Sequence, residues 1–153
     1  MTIFRHLSIA LALLALSAAA LATLGRNPNT PEQAPAQARL RQAVPADSLY
    51  TVHQTVLPTG TVVREFASLS GQVFALSWKG PVLPDLSQFF GDYFAAFQET
   101  ARQKRAAGVR GGALLVQQQD LVVVSRGRMG RFEGHAHVSA LVPAGVNIEA
   151  LLQ

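Results

Sequence analysis

The chain has 153 residues, carries 13 Lys and Arg against 9 Asp and Glu, and contains no cysteine. A formal net charge of +4 is too small an excess to indicate a nucleic-acid-binding protein, whose basic surface is normally much stronger. Without cysteine, the chain has neither a disulfide framework nor a thiol that could carry a lipid anchor.

The first 22 residues are typical of a secretory signal peptide. Arg5 supplies a basic start, an apolar run follows at 7–16, and the Ala-Leu-Ala sequence at 20–22 provides a cleavage pattern before Thr23. The Ala-Ala-Ala sequence at 18–20 is a second candidate. The alternative is an uncleaved anchor, because apolar residues continue past the cut and a spanning helix needs roughly 20 of them. The small residues favour cleavage, so we expect an exported protein, periplasmic or secreted, without a stable membrane span afterwards.

The composition changes between residues 23 and 48. Pro28, Pro31, Pro35 and Pro45 stand there among Ala, Gln, Asn and Thr, and few apolar side chains could enter a core. This composition predicts a disordered linker that acts as a tether. The remaining residues, 49–153, are long enough for a single domain.

Three strand-like runs open this domain, at 50–57, 61–67 and 72–78. They are rich in Val, Thr and aromatic residues, and turn signals such as Gly60 separate them, so an antiparallel meander is predicted. Alternation in the third run places the large side chains on one face; these are Phe74, Leu76 and Trp78.

Apolar residues then recur at three- and four-residue steps, which predicts one long amphipathic helix from about Leu86 to Ala106. Gly91 costs about 1 kcal/mol relative to alanine inside a helix, and indicates either close packing against the sheet or simple tolerance. Runs at 113–118, 121–125 and 131–140 predict three further strands, and a short tail carries one closing helical turn. The order β-β-β-α-β-β-β predicts an α+β fold in which the helix packs on a mostly antiparallel sheet.

Several blocks of sequence in these elements are distinctive. They are GTVVREF at 60–66, GQVFALSWKGP at 71–81, PDL at 84–86, DLVV at 120–123 and GRMGRF at 127–132, followed by Gly134. Through them the chain resembles an exported bacterial family catalogued as domain of unknown function 2844, over nearly the whole folded part. The resemblance implies an envelope or secreted protein and supplies no activity, cofactor or catalytic residue.

The last strand carries a candidate metal site. Alternation places Glu133, His135 and His137 on one face, where neighbouring side chains lie close enough for two to share an ion. Zinc normally takes three or four ligands, so His53 or Asp120 would have to complete the set. The alternative is an ordinary solvated sheet face.

A second candidate is an anion site in the turn before that strand. Arg126, Arg128 and Arg131 are separated by glycines, and guanidinium groups bind phosphate or carboxylate in a bidentate manner while glycine backbone can converge on an anion. The alternative is a solvated hairpin loop.

Trp78 is a third candidate, as an aromatic platform for a ligand at a strand exit before Lys79, Gly80 and Pro81. The alternative is a core residue that packs on the aromatic stripe at 89–97. The core is favoured, because Trp78 shares its face with other large apolar side chains.

No nucleophile elbow, phosphate loop or paired-carboxylate motif occurs in the sequence. The leading hypothesis is a non-catalytic exported module that binds an envelope component or a partner protein, with no cofactor. One alternative is a small metal-dependent hydrolase that uses zinc on the face of Glu133, His135 and His137. Another is a structural or assembly role, in which an exposed strand edge pairs with another protein.

Overall fold

The computed structural model describes residues 23–28, 39–43, 49–108 and 113–153. The predicted signal peptide at 1–22 lies outside the described residues. The strands are β1 (Arg39–Ala43), β2 (Tyr50–Val56), β3 (Val62–Ser68), β4 (Val73–Gly80), β5 (Leu114–Gln118), β6 (Leu121–Arg128) and β7 (Arg131–Val138). The helices are α1 (Ser87–Phe90), α2 (Phe94–Ala106) and α3 (Ile148–Leu151), with 3-10 turns at Gly91–Tyr93 and Ser139–Leu141.

All strand pairs are antiparallel, and the seven strands form one sheet in the order β1-β2-β3-β4-β7-β6-β5. The four N-terminal strands and the three C-terminal strands meet where β4 pairs with β7. The predicted α+β fold, with its antiparallel sheet and long helix between two strand sets, is confirmed. The observed sheet has β1 as an additional strand at one edge.

The helical region differs from the predicted continuous helix. Gly91 has φ 52° and ψ −126°, a conformation open essentially to glycine alone. The chain therefore turns between α1 and the 3-10 turn, and the long helix α2 begins at Phe94 rather than Leu86.

Helices α1 and α2 pack on one side of the sheet, which we call the helix face. The indole of Trp78 lies 6.1 Å from the ring of Phe90, and Phe90 in turn meets Phe97 edge-on at 5.1 Å. Val123 and Ala136 from neighbouring strands complete this cluster and are fully buried. Burial of these apolar groups is the main source of the domain's stability.

The opposite side, the polar face, has a smaller apolar cluster at one end. Phe74 belongs there, together with Phe66 and Ala75, so the prediction that Phe74 shares a face with Leu76 and Trp78 is wrong. The β3–β4 register shifts between Phe66 and Ala67, and such a bulge interrupts the strict alternation of side chains. The C-terminal segment (residues 139–153) covers this cluster through Leu141, Val142, Val146, Ile148, Leu151 and Leu152.

Residues 23–26 dock against the helix-face core. The backbone N–H of Leu24 donates to the carbonyl of Phe89 at 3.0 Å, and Gly25 donates to Val73 at 2.8 Å. Leu24 is 2 % exposed and joins the main cluster, while Arg26 forms an ion pair with Asp92 at 2.9 Å. These bonds hold the segment as an additional short parallel partner of β4.

The structure thus differs from the predicted disordered linker at two places within 23–48. One is the docked segment at 23–26, and the other is β1, which pairs with β2 along five residues. Composition missed both, because a single buried leucine or a short edge pairing needs few apolar residues. Residues 29–38 and 44–48 of the predicted linker lie outside the described residues.

Candidate functional site

The register of the strands determines which side chains lie next to one another on the polar face. Residues directly opposite one another in an antiparallel pair share a face. Ser77 of β4 lies opposite Arg64 on one side and His135 on the other. In the next row, Glu133 lies between Lys79 and Arg126. Four strands therefore bring these polar side chains together, although they are far apart in sequence.

A pocket of about 750 Å³ opens on this face beside the C-terminal segment. Its floor is the half-buried centre of the sheet, where Ser77 and His135 lie, and one wall is formed by Ile148, Glu149 and Leu152. The wall stands there because the apolar residues of α3 are anchored on the neighbouring cluster. The volume is within the range of about 300–1,000 Å³ that is usual for small-molecule sites.

Within the described part of the chain, none of the cationic side chains at the pocket is paired with a carboxylate. Lys79, Arg126 and Arg64 are exposed, and among the described residues the ion pairs are Arg26 with Asp92 and Arg102 with Glu99, both elsewhere. The Nε of Arg64 donates to Oε1 of Gln54 at 3.1 Å, which orients the guanidinium. Three cations line the pocket together with the carboxylates of Glu133 and Glu149.

The two histidines of the pocket are neutral at neutral pH. Burial lowers the pKa of His135 below 6.5, and the nearby Arg126 guanidinium lowers it further. Burial also lowers the pKa of His137, with His135 as the second cause. A neutral imidazole has one donor and one acceptor nitrogen, so both side chains can bind a polar ligand group without adding charge.

The predicted metal ligands all line this pocket, but they do not form a metal-binding group. No set of three His, Cys, Asp or Glu side chains within the described ranges could hold one ion. Glu133 and His137 are four residues apart, which is about 13 Å along a strand. The proposed fourth ligands are elsewhere, since His53 pairs opposite Glu65 on the helix face and Asp120 lies in the β5–β6 turn.

The three arginines of the predicted anion site separate into two groups. Arg126 lines the pocket. Arg128 and Arg131 lie opposite each other next to the β6–β7 turn, on the same face but outside the pocket lining. Of the three predicted anion-site residues, the structure therefore places one at the pocket and two at the turn.

Trp78, the predicted aromatic platform, is 3 % exposed and packs in the helix-face core. Trp78 also borders the pocket. Its buried ring is tilted against that of Phe90, so it offers no open surface on which a ligand could stack.

Sequence reasoning missed Arg64, Ser77, Lys79 and Glu149 as pocket residues. Alternation already placed Lys79 and Ser77 on one face of β4, and in the sheet Arg64 of β3 lies on that same face. What the sequence did not contain was the pairing of β4 with β7, which sets these residues beside His135.

Among the described residues, no helix is both long and apolar enough to cross a membrane. The family model described as "Protein of unknown function (DUF2844)" matches residues 20–151. No curated protein and no solved structure matches the chain.

Proposed function

The chain belongs to the DUF2844 family of proteins of unknown function, and we propose that it is an exported, non-catalytic binding module whose ligand site is the pocket on the polar face. The pocket carries this proposal. It combines a volume of about 750 Å³ with several polar side chains that converge from four strands, which is the usual composition of a ligand site.

The order of residues in the first 22 positions supports export. Either candidate cut, before Leu21 or before Thr23, leaves Leu24 in the mature chain, where its side chain is part of the core. The mature domain then begins with a segment fixed to its own core.

The absence of a matched reactive group argues for binding rather than chemistry. The described residues hold no set of three metal ligands, and a catalytic nucleophile would need a hydrogen-bonded base within reach. Ser77 and His135 lie opposite each other, yet no hydrogen bond joins them in the described part of the chain. We therefore favour binding over hydrolysis for this face.

Photocrosslinking in cells tests the proposal. A p-benzoylphenylalanine in place of Glu149, an exposed residue of the pocket wall, is compared with one in place of Glu99, an exposed residue of α2 on the other face. We expect a discrete adduct in the envelope or secreted fraction from position 149 and not from position 99. The mass of the purified protein should correspond to a chain that begins at residue 21 or 23.

Two outcomes would overturn the proposal. One is an adduct that forms equally from positions 149 and 99, because its formation would then not depend on the pocket. The other is a chain that stays in the cytoplasmic fraction with residues 1–20 intact. The chemical nature of the adduct separates an envelope component from a partner protein.

A further inference from the structure

The pocket has a charge arrangement that points to one class of ligand. Arg64, Lys79 and Arg126 come from three different strands and surround one opening. None of them forms an ion pair with a carboxylate in the described ranges. Cations that line one pocket without a carboxylate partner favour an anion that binds between them.

Glu133 does not neutralise this group. It lies in register between Lys79 and Arg126, but no oxygen of its carboxylate comes within 4.0 Å of either cation. The fixed bond from Arg64 to Gln54 uses only Nε, which leaves the two terminal nitrogens available for a bidentate contact. Planar carboxylate and tetrahedral phosphate both suit such a contact.

The rest of the pocket is apolar on one side. Val62 and Val124 flank the floor, and Ile148 and Leu152 project from the C-terminal segment. A simple inorganic anion would leave most of the volume and all of this apolar surface unused. A ligand that has both a charged group and a hydrocarbon part would contact both.

We propose that the pocket binds an amphiphilic organic anion, with its carboxylate or phosphate at Arg64, Lys79 and Arg126 and its apolar part against Val124, Ile148 and Leu152. This rests on the proposed function, since it names the ligand class of the same pocket. His135 and His137, as neutral groups on the floor, would donate or accept hydrogen bonds at the junction of the two parts.

Isothermal titration calorimetry with four probes tests this ligand class. Octanoate and octyl phosphate carry the anionic group and the chain, 1-octanol carries the chain alone, and inorganic phosphate carries the charge alone. We expect saturable binding of octanoate or octyl phosphate at least tenfold tighter than that of octanol or inorganic phosphate. The comparison of the first two probes distinguishes a carboxylate ligand from a phosphate ester.

Three substitutions locate the anionic group. Each of R64Q, K79Q and R126Q removes one exposed cation. Each should weaken the binding of octanoate or octyl phosphate by about tenfold or more, as expected for the loss of a charge-assisted hydrogen bond. R128Q is the matched control, because Arg128 is the next residue on the same face of β6 and lies outside the pocket. It should change the affinity by less than twofold.

The outcomes separate this proposal from the proposed function. If octanol bound as tightly as octanoate, and if R64Q, K79Q and R126Q did not change the affinity, the anionic class would be overturned. The pocket would still be a binding site. No binding of any probe, together with a pocket-specific adduct at position 149 in cells, would also overturn the anionic class alone. An equal loss of affinity in R128Q and R126Q would overturn the location of the anionic group in the pocket and would place the site at the β6–β7 turn.

Discussion

Trp78 lies directly opposite Gly134 across the β4–β7 pair, and its indole occupies the space that a side chain at residue 134 would need. A Cβ at this position would also overlap the carbonyl oxygen of Val124. The helix-face core and the pocket floor therefore meet at a point where only glycine fits.

The substitution G134A should lower the free energy of unfolding by about 1–3 kcal/mol, because the added methyl group overpacks a closed site. Urea unfolding followed by circular dichroism measures this. In a Trp78→Leu background the cost of G134A should be smaller, since the indole that it would meet is gone. A G134A protein as stable as the parent would contradict the assignment of Trp78 to this space.

Leu24 should contribute to the stability of the domain although it stands at the beginning of the predicted linker. L24A removes a fully buried side chain from the main core, and leucine-to-alanine changes at such sites cost about 2–5 kcal/mol. The matched control is L69A, because Leu69 is 69 % exposed and should change stability by less than about 0.5 kcal/mol. Equal effects of the two variants in urea unfolding would mean that residues 23–26 do not dock in solution.

Gly91 should be intolerant of a side chain. Its φ of 52° and ψ of −126° lie in a region that costs a non-glycine residue about 1–3 kcal/mol, so G91A should lower the unfolding midpoint in urea. The neighbouring substitution D92A is the control for a local surface change. D92A removes only the exposed ion pair between Asp92 and Arg26, and exposed ion pairs contribute at most about 1 kcal/mol to stability. A G91A protein that is more stable than the parent would instead indicate a continuous helix.

The pocket histidines should make stability fall on acidification. Burial holds the pKa values of His135 and His137 below the 6.5 of the unfolded chain, so the unfolded state binds more protons and stability rises with pH. The free energy of unfolding is therefore highest above pH 6.5. It falls as the pH drops from 6.5 toward the lower pKa values of the folded state. The charged side chains of Arg64, Lys79, Arg126, Glu133 and Glu149 line the same pocket.

Urea unfolding at pH 7.5 and pH 5.5 measures this dependence. The double variant H135Q/H137Q should lose much less stability between the two pH values than the parent does. H53Q serves as the control, because His53 has a lowered pKa through burial as well but lies on the helix face. It should retain most of the parent's dependence. A parent protein that is more stable at pH 5.5 would contradict the direction of the shifts.

Local patterns in the sequence were sufficient to predict most of the strands and the fold class. Alternation with glycine turns located β2, β3 and β7, and the positions of Glu133, His135 and His137 on one face followed from the same alternation. These features depend on neighbouring residues only, which is why a single sequence contains them. The signal peptide remains a prediction of this kind.

Long-range pairing determined what the sequence could not predict. The pocket exists because β4 pairs with β7, and because α3 is anchored next to the polar face by the cluster around Phe74. Neither contact leaves a trace in local periodicity. The bulge beside Phe66 and the conformation of Gly91 are likewise set by packing, so alternation and helical spacing failed at Phe74 and at the start of the long helix.

The central claim is that the pocket on the polar face binds an amphiphilic anion. Its most direct test is titration of the ¹⁵N-labelled chain with octanoate and, separately, with octyl phosphate, observed by amide chemical shifts. The account predicts saturable shifts at Ser77, Glu133 and His135 and in α3, with none at Gly130 in the β6–β7 turn or in α2. Shifts confined to the turn or to α2, or no saturable shift at all, would contradict it.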